Sequence, residues 1–430
     1  MKLKKNFLSY LLLFIGIMIF TYSLYKSEIY FSGLNRKFYQ IYFYISLIFI
    51  LLSLSSFYLS KKIRVYLTIT FVSLIISLYA FEIYLNFYQV NYKSSIYKKK
   101  TGKKFDNRSK LEFFSYFKKK NSNIVLFNYI ENPNLKTFSG ISNSKTIGCS
   151  ENGYFSTYNS DDYGFNNPKY NLEEDNFEYV LIGDSFVHGD CVNRPFDIAS
   201  ILRVLSNKNS LNLGIGGTGP LKQYAIIKEY LPQKFKKLLL FYYVNDNEDL
   251  IRELKNDFLI KYLNDENFTQ DLKNKQYNID ILNHKEINLK FANKNSSKKI
   301  NLKNTIKLFK TRNLLFNKAN VRQVKASMPE EYFAILKKIK KIVELNNASF
   351  YLVILPSYSQ IKQGKIINQN FEKFKKKLIS EEINVIDVQK LIFDVNENPL
   401  KFFPFEKPGH YNKEAYSQIG KLIYKLTKNE

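Results

Sequence analysis

The chain has 430 residues, of which 65 are basic and 38 acidic, so its formal net charge is +27. This length allows a membrane section together with one or two domains. Because the lysines are spread along the chain among abundant Asn, Ile and Tyr, the charge reflects a compositional bias and we expect no nucleic-acid partner. With two cysteines and three histidines that do not cluster at metal-ligand spacing, we expect no metal and no cofactor.

Three long apolar runs predict transmembrane helices at about 7–24, 41–60 and 65–86. Each run is long enough to cross the hydrocarbon core of a bilayer. A secretory signal is the alternative for the first run, but no small-x-small cleavage site follows it and a second run comes soon after. Basic residues lie on both sides of these runs, so the positive-inside rule leaves the orientation open.

The sequence after the third apolar run predicts a polar and basic linker or N-terminal extension at 91–145 and one domain at 146–430. Strand patterns alternate with helical patterns in this domain, which indicates an α/β fold with a mainly parallel sheet flanked by helices. A polar stretch at about 252–325 interrupts the alternation and is either a lid or partly disordered. The strands are predicted at 179–182, 210–213, 238–244, 350–355 and 385–388, and the helices at 197–205, 330–345 and 413–426. The polar stretch contains a few helical pieces, such as 306–316.

The first predicted strand ends in a serine. The stretch Tyr179 to Val192 reads YVLIGDSFVHGDCV, in which an apolar run stops at a glycine and Ser185 follows at the strand tip. Ligands bind at this edge of open α/β sheets, and backbone N–H groups at a helix start stabilise an oxyanion. The stretch is therefore a candidate nucleophile turn, with an ordinary strand–turn–helix connection as the alternative.

An activated serine needs a base and oxyanion donors. Gly217 lies in a glycine-rich turn after the second strand, and Asn245 follows the third strand, although either could be a plain turn residue. His410 precedes the last helix and is the best candidate base. His284 lies in the polar stretch, and His188 is badly placed because it shares a turn with the serine.

Four short stretches resemble, in chain order, the four motif blocks of the SGNH (GDSL-like) hydrolase superfamily. They are Gly183-Asp184-Ser185-Phe186, Gly217, Asn245-Asp246 and His410. The resemblance implies a flavodoxin-like domain in which Ser185 is the nucleophile and His410 the base. It also implies an oxyanion hole formed by Ser185, Gly217 and Asn245.

The sequence departs from the family pattern at two positions. Tyr243 stands where the third block has a glycine, and Lys407 stands where the last block has an aspartate three residues before the histidine. The group that orients His410 is therefore open, with a backbone carbonyl or Glu406 as candidates.

Cys149 and Cys191 lie on two segments that are expected to flank the same site. We predict a disulfide between them, with two unrelated thiols as the alternative. A disulfide requires an oxidising compartment. It therefore favours a cytoplasmic N-terminus and an extracytoplasmic, periplasmic domain at a bacterial inner membrane.

These expectations combine into a membrane-anchored serine esterase that acts on an O-acyl ester, with the lipid bilayer and an acylated small molecule or envelope polysaccharide as partners. An O-acyltransferase on the same fold is one alternative. A non-catalytic binding or assembly protein with an SGNH fold is another, because of Tyr243 and Lys407. A nucleic-acid binder rests on net charge alone.

Overall fold

The computed structural model describes residues 6–31, 33, 36–120, 123–126, 135–292, 302–316, 328–363 and 369–429. The chain forms two compact units. The first comprises Met1–Tyr92 and Lys298–Ala326, and the second comprises Lys93–Ser297 and Ser327–Glu430. This division differs from the predicted one, because part of the predicted insertion groups with the N-terminal helices.

The first unit contains three helices that are long and apolar enough to cross a membrane. They are α1 (Phe7–Leu24, continued by a π-helical turn at Tyr25–Tyr30), α2 (Arg36–Ser56) and α3 (Lys61–Thr101). Between α1 and α2, the Ser53 hydroxyl donates to the Ser9 carbonyl at 2.7 Å, a polar contact of the kind that joins membrane helices.

The third helix, α3, is much longer than the predicted span. No glycine or proline occurs between Lys61 and Thr101, and the helix ends only at Gly102, whose φ is +69°. The first part of the predicted linker is therefore helical and carries the chain from the first unit into the second.

A five-stranded parallel sheet forms the centre of the second unit. A separate small sheet precedes it, with strands β1 (Ile124–Leu126), β2 (Lys145–Ile147) and β3 (Thr157–Asn159). The large sheet consists of β4 (Asn176–Ile182), β5 (Asn209–Asn212), β6 (Lys234–Tyr242), β7 (Ser349–Ile354) and β8 (Asn384–Asp387). Its order is β5-β4-β6-β7-β8 with every pair parallel. This is the flavodoxin-like order, and it confirms the predicted α/β fold.

Helices cover both faces of this sheet. Successive side chains of a strand point to opposite faces, so Leu238 and Leu240 of β6 join one apolar core while Leu239 and Phe241 join the other. The helices of the second unit are α4 (Lys110–Lys118), α5 (Ser185–His188), α6 (Ile198–Ser206), α7 (Pro220–Tyr230), α8 (Asp246–Glu253), α9 (Asp257–Asn264), α10 (Gln276–Ala292), α13 (Glu330–Leu345), α14 (Tyr358–Gln363), α15 (Gln369–Ser380) and α16 (Lys413–Thr427).

The predicted insertion at about 252–325 is split between the two units. In its first half, Leu259, Tyr262 and Ile279 are buried in the core of the second unit. Its second half contributes α11 (Leu302–Ile306) and α12 (Phe309–Phe316) to the first unit. Residues 293–301 and 317–327 lie outside the described residues.

Candidate active site

Ser185 stands at the carboxyl edge of the large sheet. After β4 ends at Ile182, Asp184 caps the short helix α5, and its carboxylate accepts the Phe186 N–H at 2.9 Å. Ser185 is the first residue of this helix, and Gly189, with φ +80°, ends it after one turn. The serine hydroxyl is thereby held at the strand tip, only partly buried.

His410 reaches the serine from the loop before α16. Its Nε2 lies 2.8 Å from the Ser185 Oγ. The loop is anchored on both sides of this contact, because the buried Tyr411 hydroxyl donates to the Pro356 carbonyl at 2.5 Å and Asn412 caps α16. The structure thus brings the predicted nucleophile and the predicted base within hydrogen-bond distance.

The carboxylate at the other imidazole nitrogen is Glu151, not the predicted Glu406. Glu151 Oε1 lies 3.2 Å from His410 Nδ1, and Oε2 accepts the His410 backbone N–H at 2.6 Å. A Cβ on Gly409 would lie 2.5 Å from the same Oε2, so the glycine permits this close approach. The Glu406 carboxylate instead lies beside Asn398, 3.4 Å from its Nδ2, after the 3₁₀ turn Pro404–Glu406.

A disulfide joins Cys149 to Cys191 and holds the segment that carries Glu151. Their Cα atoms are 4.8 Å apart, and the Asn152 side chain donates to the Cys191 carbonyl at 2.9 Å. Glu151 therefore lies between two attachments to the chain that follows α5. Among the described residues, one group of potential metal ligands occurs here (Cys149, Glu151, Cys191 and His410), but both of its cysteines are oxidised.

Replacing both cysteines by alanine is expected to destabilise the second unit. Loss of a native disulfide typically costs about 2–5 kcal/mol of unfolding free energy, and here it also frees the Glu151 segment. We expect a lower melting temperature in the purified full-length protein. An unchanged melting temperature would contradict this.

Acidic neighbours control the protonation of His410. Burial by itself lowers the pKa of the imidazole, but the hydrogen bond to Glu151 and the charges of Asp190, Glu151 and Asp184 outweigh it and raise the pKa to about 9. Asp190 Oδ2 lies 4.0 Å from Nε2. Burial opposes ionisation of Glu151, but its hydrogen bonds and charge interaction with His410 hold its pKa below the usual value. These contacts therefore favour the protonated form of the His410 imidazole and the carboxylate form of Glu151.

The glycine-rich turn after β5 borders the serine. A Cβ on Gly216 would lie 3.5 Å from the Ser185 Cβ. The next residue, Gly217, is exposed with φ +82°, and a Cβ there would meet no atom within 4 Å. This turn therefore borders Ser185 at Gly216 and is open at Gly217.

Asn245 follows β6 and contacts the carboxylates near the nucleophile turn. Its Nδ2 donates to Asp249 Oδ2 at 2.7 Å and lies 3.5 Å from Asp184 Oδ2. Burial raises the pKa of Asp184 to about 6, although the Phe186 N–H, the charge of His410 and the Asn245 amide oppose this rise. The structure thus brings Asn245 to the same sheet edge as Ser185.

Tyr243 and His188, which the sequence analysis considered, both have packing contacts at the site. Tyr243 packs on Phe186 with ring centroids 4.2 Å apart, and Phe186 lies 4.9 Å from the His410 ring. His188 is buried, with Nδ1 3.1 Å from the Gly214 carbonyl. His188 therefore connects the nucleophile turn to the glycine-rich turn.

Sequence reasoning missed two acids, Glu151 and Asp190. Glu151 had one available signal, because it lies two positions after Cys149, which was predicted to be bonded to Cys191 beside the nucleophile turn. Asp190 follows α5 directly, and nothing in its spacing marked it.

The sequence matches no family model and no curated protein. Among solved structures, the chain is similar to a putative lipolytic protein of the G-D-S-L family from Desulfitobacterium hafniense, with 14% identity, a TM-score of 0.33, and coverage of 58% of this chain and 99% of that one. It is also similar to a member of the same family from Veillonella parvula (13% identity, TM-score 0.31, coverage 59% and 100%) and to an acetyl xylan esterase (11% identity, TM-score 0.33, coverage 58% and 100%).

Similarities at this level carry no information on activity or substrate. The order of its parallel sheet gives the second unit a flavodoxin-like α/β fold. The four sequence blocks that resemble those of SGNH (GDSL-like) hydrolases lie at or near the carboxyl edge of this sheet.

Proposed function

We propose that this protein is a membrane-anchored serine esterase in which Ser185 is the nucleophile, His410 the general base and Glu151 the carboxylate that orients the base. One observation carries the proposal: Ser185 Oγ lies 2.8 Å from His410 Nε2 while Glu151 contacts Nδ1. An activated serine needs this order of contacts, because the carboxylate fixes the orientation and tautomer of the imidazole.

The reaction follows from these contacts. The Ser185 oxygen attacks the ester carbonyl carbon while His410 Nε2 takes the hydroxyl proton. The proposed donors to the negative oxygen of the tetrahedral intermediate are the N–H groups of Ser185 and Gly217 and the amide of Asn245. In the structure the Asn245 Nδ2 donates to Asp249 Oδ2, so this amide turns toward the oxygen when the intermediate forms. The intermediate expels the alcohol, which takes its proton from His410. Water then attacks the acyl-enzyme with His410 again as base, and the carboxylic acid leaves.

The proposed substrates are short O-acyl groups on envelope polysaccharide. The Cys149–Cys191 disulfide requires an oxidising compartment, which favours an extracytoplasmic second unit. Helices α1 to α3 are candidates to hold it at the membrane, where acylated envelope polymers are accessible.

A fluorophosphonate probe on the detergent-purified, disulfide-intact protein tests the nucleophile. We expect stoichiometric labelling that peptide mass spectrometry assigns to Ser185, none in Ser185→Ala, and much slower labelling in His410→Gln. A wild-type protein that is folded but does not react would overturn the proposal in favour of a non-catalytic protein. In a parallel assay with an acetylated oligosaccharide, release of free acetate identifies a hydrolase, whereas acetylation of an added sugar acceptor identifies a transferase.

A further inference from the structure

Glu82 is an acidic side chain within the third candidate span. It is 1% exposed and accepts hydrogen bonds from the Lys310 N–H at 3.0 Å, the Thr311 N–H at 2.7 Å and the Thr311 hydroxyl at 2.8 Å. A carboxylate at membrane depth is costly unless it is paired, and these donors come from the start of α12. The apolar run ends near Asn86, four residues further on, so Glu82 lies about 6 Å inside it. The start of α12 therefore reaches the depth of the membrane interface.

Basic side chains of the same segment lie against tyrosines of the other two spans. Lys307 Nζ lies 3.5 Å from the hydroxyl of Tyr22, near the end of α1. The Arg312 guanidinium lies 5.9 Å from the centre of the Tyr42 ring, near the start of α2. Tyrosines are enriched at membrane–water interfaces. The segment therefore contacts all three candidate spans at the end where α1 finishes and α2 begins.

The composition of α11 and α12 suits a lipid surface. Residues 302–316 contain four basic residues and no acidic residue. Among the side chains of this segment that the structure describes, Ile306, Phe309 and Leu314 are large, apolar and exposed, with 59%, 41% and 60% accessible. Apolar side chains mixed with lysine and arginine are typical of helices that lie in the interface of an anionic bilayer.

We propose that residues 302–316 form an interfacial membrane segment, in which Ile306, Phe309 and Leu314 enter the acyl-chain boundary and Lys307 and Arg312 bind anionic lipid headgroups. The chain leaves the second unit after Ser297 and re-enters it at Ser327. The segment is thus a second membrane attachment of the catalytic unit, in addition to α3. It does not depend on the proposed esterase activity.

Site-specific fluorescence in lipid nanodiscs tests the proposal with the full-length protein. The two native cysteines are bonded to each other, so an introduced cysteine is the single free thiol for an NBD label. Ile306→Cys and Leu314→Cys report on the segment. Val395→Cys, an exposed position of the second unit (72% accessible), is the matched control. We expect doxyl-labelled lipids to quench NBD at 306 and 314 several-fold more strongly than at 395.

Charge variants separate the two parts of the proposal. Quenching at position 314 is expected to increase with the phosphatidylglycerol content of the nanodisc. The Lys307→Gln/Arg312→Gln variant should lose this increase, and the matched pair Lys421→Gln/Lys425→Gln on α16 should keep it. Labels at 306 and 314 that are quenched by aqueous iodide but not by doxyl lipids would overturn the proposal. Quenching that does not change with phosphatidylglycerol content would overturn the headgroup contact. Monodisperse elution of each variant establishes that it is folded.

Discussion

Replacing Ser185 by alanine is expected to lower kcat/KM for a short-acyl ester by roughly 10⁴- to 10⁶-fold, the range found when a catalytic serine is removed. In the proposed mechanism the hydroxyl oxygen forms the bond to the acyl group, and no other described hydroxyl is hydrogen-bonded to His410 Nε2. Initial rates with an aryl acetate and with an acetylated oligosaccharide measure the loss.

The control for this variant is Ser206→Ala, which removes a hydroxyl bonded to the Leu202 carbonyl on α6. It should retain full activity. The Ser185→Ala variant should melt at the wild-type temperature, because Ser185 is only partly buried and its hydroxyl is hydrogen-bonded to one side chain, that of His410. Turnover by Ser185→Ala at more than a few per cent of the wild-type rate would eliminate Ser185 as the nucleophile.

The second large effect is expected for Glu151→Gln, with kcat reduced roughly 10²- to 10⁴-fold, as for acids that orient a catalytic histidine. The amide nitrogen of glutamine can donate to Nδ1 and so stabilise the wrong tautomer, and it does not compensate the positive charge that develops on His410. Glu406→Gln is the matched control and should have no effect, because that carboxylate lies beside Asn398. Equal losses in both variants would contradict the assignment of Glu151.

The pH profile distinguishes this role from a structural one. His410 acts as a base only when neutral, so with a pKa of about 9 the wild-type kcat/KM should rise with pH and level off near that value. Removing the negative charge of Glu151 lowers the pKa of His410, and the rising limb should move to lower pH in Glu151→Gln. Asp190→Asn should also move the limb to lower pH, since Asp190 is another charge that raises this pKa. It should cost little kcat, because the contact with Nδ1 remains. A limb that stays fixed in both variants would contradict this electrostatic account.

Local patterns were sufficient to predict the sheet. Runs such as Leu238–Val244 and Phe350–Leu355 are apolar because parallel strands are buried on both faces, and the observed β6 and β7 overlap them closely. Ser185 and His410 were likewise predicted from their places at a strand end and before the last helix, and the structure brings them together. The contact between Ser185 and His410 depends on the order of strands and helices along the chain, and the alternating patterns in the sequence indicate that order.

Glu151, the third residue of the proposed Ser–His–Glu arrangement, was not predictable from local spacing. The family pattern places the carboxylate shortly before His410, where the sequence has Glu406, whereas Glu151 comes from the segment before the large sheet. In the sequence, only the predicted disulfide between Cys149 and Cys191 relates that segment to the turn that carries Ser185. Tertiary contacts of this kind leave no periodic signal in the chain.

The average polarity of a stretch also failed to predict two structural features, which are the buried part of 252–325 and the end of the third helix. The stretch at 252–325 appears uniformly polar, yet Leu259, Tyr262 and Ile279 are core residues, because a few apolar positions on short helices suffice to bury one face. Similarly, the hydropathy of the third span ends near Asn86, whereas its helix continues to Thr101. Loss of hydropathy marks the edge of a lipid-facing surface and does not mark the end of hydrogen-bonded structure.

The origin of Glu151 changes where the proposed catalytic domain begins. A fragment starting just before β4 would keep all five strands of the large sheet, Ser185 and His410, although it would lose Phe138, Phe165 and Leu172 from one apolar core. It would, however, lack Glu151 and leave Cys191 as an unpaired thiol beside an imidazole without its carboxylate. The shortest piece that forms the sheet and the shortest piece that carries the full catalytic machinery are therefore different, and an excised enzyme should include the small sheet that precedes it.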